Sequence, residues 1–240
     1  MGFVARGPVK PVKGWMSLLV LFLSAWPQAP HRDGAGQVAE SPVRKEPTAT
    51  TSYFYKLVTP NLTVVRAELQ FDETGQGTFT FLPKNEEEEI RLPLKLWPQT
   101  VQRVNQYLEQ LRFLTSEEVY QSNRDLSHLG TITLRVRRGS LEREVIFNYT
   151  THPVMRELAA LLRGMVSQES RVFAIELARR HEPLDLDRQM QALQREVSNG
   201  WLAEPKKLIP LLEEIRSDEG VLLMARRRAG QIIRMIQKKS

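Results

Sequence analysis

Histidine, the residue most often recruited for proton transfer, occurs four times in this chain: His31, His128, His152 and His181. Ser122, Asp125, Ser127 and His128 together hold the atoms of a hydrolase triad. Proximity along a chain is not triad geometry, and neither serine sits in the glycine-flanked turn that strains a nucleophile. The expected role of this segment is a polar surface loop. His181, Glu182, Asp185 and Asp187 crowd together in a pattern that can be read as metal-ligating. A helix C-terminus favouring His181, then Pro183 and an Asp-rich new N-terminus, accounts for all four. The His-x-x-x-His spacing of helical zinc sites is absent. Glu86–Glu89 is a run of four carboxylates, without the spaced ligands and central glycine of a calcium loop. The chain has no cysteine. Thiol nucleophiles, thiolate metal sites and disulfides are therefore excluded. No glycine-rich turn precedes a helix, so phosphate cradling has no support. No catalytic residue, metal ligand or cofactor site is assigned.

The remaining chemistry is charge. Arg226, Arg227, Arg228, Arg234, Lys238 and Lys239 make the C-terminus basic. At spacings of 7 and 4, Arg227, Arg234 and Lys238 share one helical face and are the candidate partner-binding residues. The whole chain of 240 residues carries 34 Lys+Arg against 28 Asp+Glu, a net charge of +6. Residues 1–50 contribute 6 and 3, residues 51–149 contribute 12 and 13, and residues 150–240 contribute 16 and 12. Half of the excess thus lies in the first 50 residues. A nucleic-acid footprint is not read from the total; an anionic envelope or protein surface suits the C-terminal cations better.

These residues need elements to position them. From Tyr53 to about Pro93 the pattern has period two: Val65, Ala67, Leu69 and Phe71 alternate with polar residues. Asp72–Gly77 supplies a turn, and Phe79 and Phe81 alternate back, which predicts a hairpin. Ile90, Leu92 and Leu94 resume the alternation, and Tyr53–Val58 is expected as an edge strand. Pro98 marks a first helical position, and Val101, Val104, Leu108 and Leu111 predict a helix over Pro98–Leu114. A second hairpin pairs Ile132, Leu134 and Val136 with Val145, Phe147 and Tyr149 across Arg137–Ser140. Thr151 is placed as the cap of a helix whose Val154, Leu158, Leu161 and Met165 share a face. Tight turns imply antiparallel pairing, so the class is α+β: an antiparallel sheet packed with two helices. Asn61-Leu-Thr63 and Asn148-Tyr-Thr150 match a glycosylation pattern but fall on predicted strands or their edges.

From Ser170 onward the strand pattern stops, and an all-α helical-hairpin region follows. One helix ends at His181-Glu-Pro183; a second carries Leu186, Met190, Leu193 and Val197 and ends at Asn199-Gly200. Pro205 opens a third with Leu208, Leu211, Leu212 and Ile215, closed by Ser217–Gly220. Val221, Leu222, Ala225, Ala229, Ile232 and Ile236 line the fourth. Lys207–Glu219 followed by Leu222–Ala229 resembles a HEAT-type helical hairpin: a short first helix with internal Pro210, an acidic turn, an alanine-bearing second helix. The resemblance covers one hairpin, while a solenoid needs about three or more repeats. It implies a protein-binding surface and no catalysis.

The N-terminus reads as an address. Arg6, Lys10 and Lys13 precede the uncharged apolar run Trp15–Trp26, with small residues towards and after its end at Ser24, Ala25 and Ala29. Twelve residues rise about 18 Å as a helix, short of a membrane core of about 30 Å. The layout predicts a signal peptide over 1–29 and a disordered linker over 30–52. An α+β domain over 53–168 and a helical-hairpin domain over 169–240 complete the expected organisation. The layout resembles that of exported bacterial proteins. The expected function is non-enzymatic protein–protein or envelope interaction. The alternatives are a hydrolase with a site of distant carboxylates and histidine, and a structural protein anchored through an uncleaved segment 15–26.

Overall fold

The computed structural model describes residues 50–59, 63–124 and 126–238. The expected signal peptide and most of the expected linker lie outside these residues. The described residues belong to one compact unit, Glu46–Ser240.

Six strands form one antiparallel sheet: β1 (Thr51–Val58), β2 (Val64–Asp72), β3 (Gln76–Pro83), β4 (Ile90–Lys95), β5 (Thr131–Arg138) and β6 (Leu141–Phe147). Their order across the sheet is β4-β3-β2-β1-β5-β6. The chain is thus α+β, as its alternation and turns predict. One position differs. The segment expected at an edge, β1, lies at the centre and joins the two hairpins. Its Tyr53, Tyr55 and Leu57 are buried, and Tyr55 stands opposite Leu69 on one side and Leu134 on the other. Alternation within one strand gives no local sign of pairing on both sides. β1 also starts at Thr51, whose N–H donates to Glu73 Oε2 at 3.1 Å.

The register fixes two faces. Leu92, Phe79, Leu69, Tyr55, Leu134 and Val145 form one row on the inner face. Pro93, Thr78, Gln70, Phe54, Arg135 and Glu144 form the corresponding outer row. The outer face is mostly polar, with the Arg135 guanidinium 4.8 Å from the Phe54 ring centre. Both edges are unsuited to further pairing. β4 carries Pro93, and β6 presents Glu142, Arg143 and Glu144.

The inner face is covered by α1 (Pro98–Gln110) and α2 (Pro153–His181). Pro98 does open α1, but the helix ends earlier than its apolar spacing suggests. Arg112 adopts φ 45°, and the chain turns back while Leu111 and Phe113 stay buried. The cap of α2 is His152, not Thr151: its Nδ1 accepts the Met155 N–H at 3.3 Å. Pro153 at the first helical position sets the cap one residue later.

The two helices expected around residue 168 are one helix of 29 residues, about 44 Å long. Nothing between Val166 and Arg171 breaks a helix, and the change of apolar face there reflects a change of neighbour. Its first half buries Leu158, Leu162 and Met165 against the sheet, while Ile175 and Ala178 enter a second core. The expected boundary between residues 168 and 169 falls inside it.

The second core belongs to the helices after α2: α3 (Leu186–Asn199), α4 (Ile209–Ser217) and α5 (Leu223–Lys238). Met190, Leu193, Leu212, Ile215, Ala229 and Ile232 are its centre. Gly200 caps α3 at φ 70°, where a side chain would be strained. Pro205 opens a 3-10 turn, Pro205–Leu208, that feeds α4. Among the described residues no helix is long and apolar enough to cross a membrane.

Candidate functional site

Two features of the helical region stand out: a basic outer face on α5, and a buried charged cluster where α2 and the 3-10 turn meet the sheet layer.

α5 buries Ala225, Ala229, Ile232, Ile233 and Ile236, which leaves its opposite side to solvent. Arg227, Arg234 and Lys238, the residues singled out by spacing, are all exposed there. Among the described residues none of the three is in an ion pair. The neighbouring arginines are different. Arg228 Nε donates to Asp187 Oδ1 at 3.1 Å and its Nη1 to Gln194 Oε1 at 3.0 Å, which ties α5 to α3. Arg226 Nε donates to the Arg216 carbonyl at 3.2 Å, tying α5 to α4. Lys239 lies outside the described residues.

Leu222, Leu223 and Met224 are exposed at the start of α5, Met224 at 64%. The periodicity placed Leu222 among the core positions; helix α5 starts only at Leu223, so Leu222 lies in the turn. By helical rotation Leu223 and Met224 flank the sector that holds Arg227, Arg234 and Lys238. Beside this tip a groove of about 430 Å³ opens between α2, α4 and the turn before α5. Pro183, Leu186, Leu211, Val221 and Leu222 give it apolar walls. Arg179 crosses it, donating to Glu214 Oε2 and Asp218 Oδ2, both at 3.1 Å. That contact holds the Asp218 carboxyl below the ordinary aspartate range, with the Gly220 N–H adding to it.

The buried cluster has no sequence signature. Lys207 Nζ donates to the Lys95 carbonyl at 2.6 Å and to Glu169 Oε1 at 3.3 Å. It also lies 3.6 Å from Glu204 Oε2, and the Glu204 side chain is 1% exposed. Glu204 Oε1 accepts the Trp97 N–H at 2.7 Å, and the Glu204 N–H donates to Gln168 Oε1 at 2.8 Å. Burial pushes the Glu169 carboxyl above the ordinary glutamate range; Lys207 opposes the shift and Glu204 adds to it. The burial of Glu204 depends on a strand-to-helix link 107 residues away, which no local spacing shows.

The other sequence-derived candidates are dispersed. Asp125 and the side chain of Ser127 lie outside what the structure describes. Ser122 donates its N–H to the Tyr149 carbonyl at 2.8 Å, and its hydroxyl accepts the Arg124 N–H at 3.3 Å. His128 is exposed in the short 3-10 turn Ser127–Leu129. Asp187 faces Arg228, and Asp185 is 2.5 Å from Arg188 Nε, so the four residues from His181 to Asp187 do not converge. Among the described residues no three His, Asp or Glu side chains are placed to hold a metal. Glu89 pairs with Arg66, and Glu86–Glu89 are exposed. Asn61 lies outside the described residues, and Asn148 Oδ1 accepts from Gln121 Nε2 at 2.9 Å.

No protein-family model matches the chain. No curated protein matches it either.

Proposed function

We propose that this is an exported, non-enzymatic interaction protein and that the outer face of α5 binds an acidic protein partner. One observation carries the reading: Arg227, Arg234 and Lys238 line one exposed face without an ion pair, beside the exposed Leu223 and Met224. Most other cations of the helical region have a carboxylate beside them: Arg171, Arg179, Arg180, Arg188, Lys207 and Arg228. An unpaired basic stripe with an apolar tip complements an acidic surface that carries an apolar anchor. The HEAT-type resemblance of Lys207–Ala229 points in the same direction, as does the signal-like N-terminus towards the envelope.

The test is site-specific photocrosslinking from Met224 in an envelope extract, using the full chain. Discrete adducts with an acidic protein are expected, lost in the R227E/R234E/K238E variant and weakened by salt. Adducts that survive charge reversal, or that match those of a probe at Thr133 on the sheet, overturn the proposal. Binding of anionic vesicles without protein adducts would reassign the face to lipid.

A further inference from the structure

The cluster around Lys207 invites a reading independent of the α5 face. Three parts of the fold meet in it. The link between β4 and α1 contributes the Lys95 carbonyl and the Trp97 N–H. α2 contributes Gln168 and Glu169. The approach to α4 contributes Glu204 and Lys207. Two carboxylates share one ammonium, so the cluster carries a formal charge of −1; its carboxylates are largely buried, while Lys207 is 29% exposed. The side chains of Glu169 and Glu204 are 15% and 1% exposed.

A net charge in such a place is costly, and the site can relieve it by binding one proton. Glu204 Oε2 is buried without a hydrogen-bond partner, although Lys207 stands 3.6 Å from it. The cluster therefore contains an acceptor with spare capacity beside a second carboxyl that can be protonated. We propose that Glu169, Lys207 and Glu204 form a proton-operated latch that holds the C-terminal helices on the sheet layer more firmly when the cluster binds one proton.

The charged groups facing Glu169 are Lys207 and Glu204 from across the interface. On its own helix the neighbouring Gln168 side chain opposes the upward shift. The sheet layer presents main-chain groups to the cluster. The direction of the effect follows from burial. Folded Glu169 keeps its proton to higher pH than it does in the unfolded chain. The folded state then binds more protons in that window, and stability rises as pH falls through it.

The experiment follows urea unfolding of the full chain from pH 8 down through the acid range, for wild type and E169Q. The wild-type midpoint is expected to rise on mild acidification, and E169Q to lose that rise while remaining folded. An identical pH slope in both proteins overturns the latch, since a merely structural Glu169 would shift the midpoint equally at every pH. If E169Q fails to fold, the Glu169 side-chain carboxyl is titrated by carbon NMR in the wild type, alongside amide exchange over Ile209–Lys238. A titration above the ordinary glutamate range, with exchange slowing in step after correction for intrinsic rates, supports the latch. An ordinary titration, or protection of these helices that ignores it, overturns it.

Discussion

The carboxylate of Glu204 accepts the backbone N–H of Trp97 at 2.7 Å, across 107 residues of sequence. Trp97 is the N-cap residue of α1, and α1 has no side-chain cap of its own. Its first turn also lacks an acidic residue. Glu204 therefore supplies, from the other end of the fold, the negative charge that a helix N-terminus favours. One side chain stabilises α1 and fastens the helical region beside the sheet layer.

Removing that carboxylate strands the Trp97 N–H and takes one of two carboxylates from Lys207, which keeps Glu169 and the Lys95 carbonyl. E204A is expected to lose about 1–3 kcal/mol in urea unfolding. E204Q keeps an acceptor for the N–H and should lose less. Equal losses for the two variants would show that charge, and not the hydrogen bond, carries the contribution.

Gly164 sits in the middle of α2, where alanine would ordinarily help a helix by about 1 kcal/mol. A methyl group there would lie 2.9 Å from the Trp201 carbonyl oxygen and 3.2 Å from the Ala203 nitrogen. Both are backbone atoms, so the segment after α3 would have to move. G164A is expected to lower the thermal midpoint, with a net cost of about 1–3 kcal/mol. A raised midpoint would show that the approach is looser than described.

The arginines of α5 should separate by role. R228A removes hydrogen bonds to Asp187 and Gln194 and is expected to cost about 1 kcal/mol in chemical denaturation. R227A touches no carboxylate and should stay within about 0.5 kcal/mol of wild type. If R227A were the more damaging of the two, the outer face of α5 would not be free.

Acid should act in the opposite sense on the aspartates. Hydrogen bonds hold Asp72, Asp185 and Asp218 below the ordinary range, led by Thr74, Gln189 and Arg179 respectively. A depressed carboxyl contributes stability above its unfolded value and loses it as pH falls through the folded one. Stability is therefore expected to peak in mild acid, where Glu169 has gained its proton, and to fall below the ordinary aspartate range. In R179A, carbon NMR should find Asp218 titrating nearer its ordinary value. An unchanged value would assign the depression to the Gly220 N–H.

Much of the fold was legible in the chain. The period-two runs through Leu69, Phe79, Leu134 and Val145 located four strands and their inner face. Asp72–Gly77 marked one turn, and Arg137–Ser140 spanned the second around Gly139. The spacing of Arg227, Arg234 and Lys238 placed all three on one exposed face, because helical geometry alone sets which side chains travel together.

What escaped was whatever depended on a neighbour distant in sequence. The central place of β1 needed both hairpins to be present. The unbroken course of α2 was hidden because its apolar face changes where its neighbour changes from the sheet to α3. The exposure of Leu222 was set by where α5 begins.

By itself the sequence determined the α+β class, the absence of thiol chemistry and the basic stripe of α5, because each follows from composition or from local periodicity. The tertiary structure decided that Glu169, Lys207 and Glu204 meet under Lys95 and Trp97. Burial of charge is a property of the surroundings, and no local pattern encodes surroundings assembled from three separate parts of a chain.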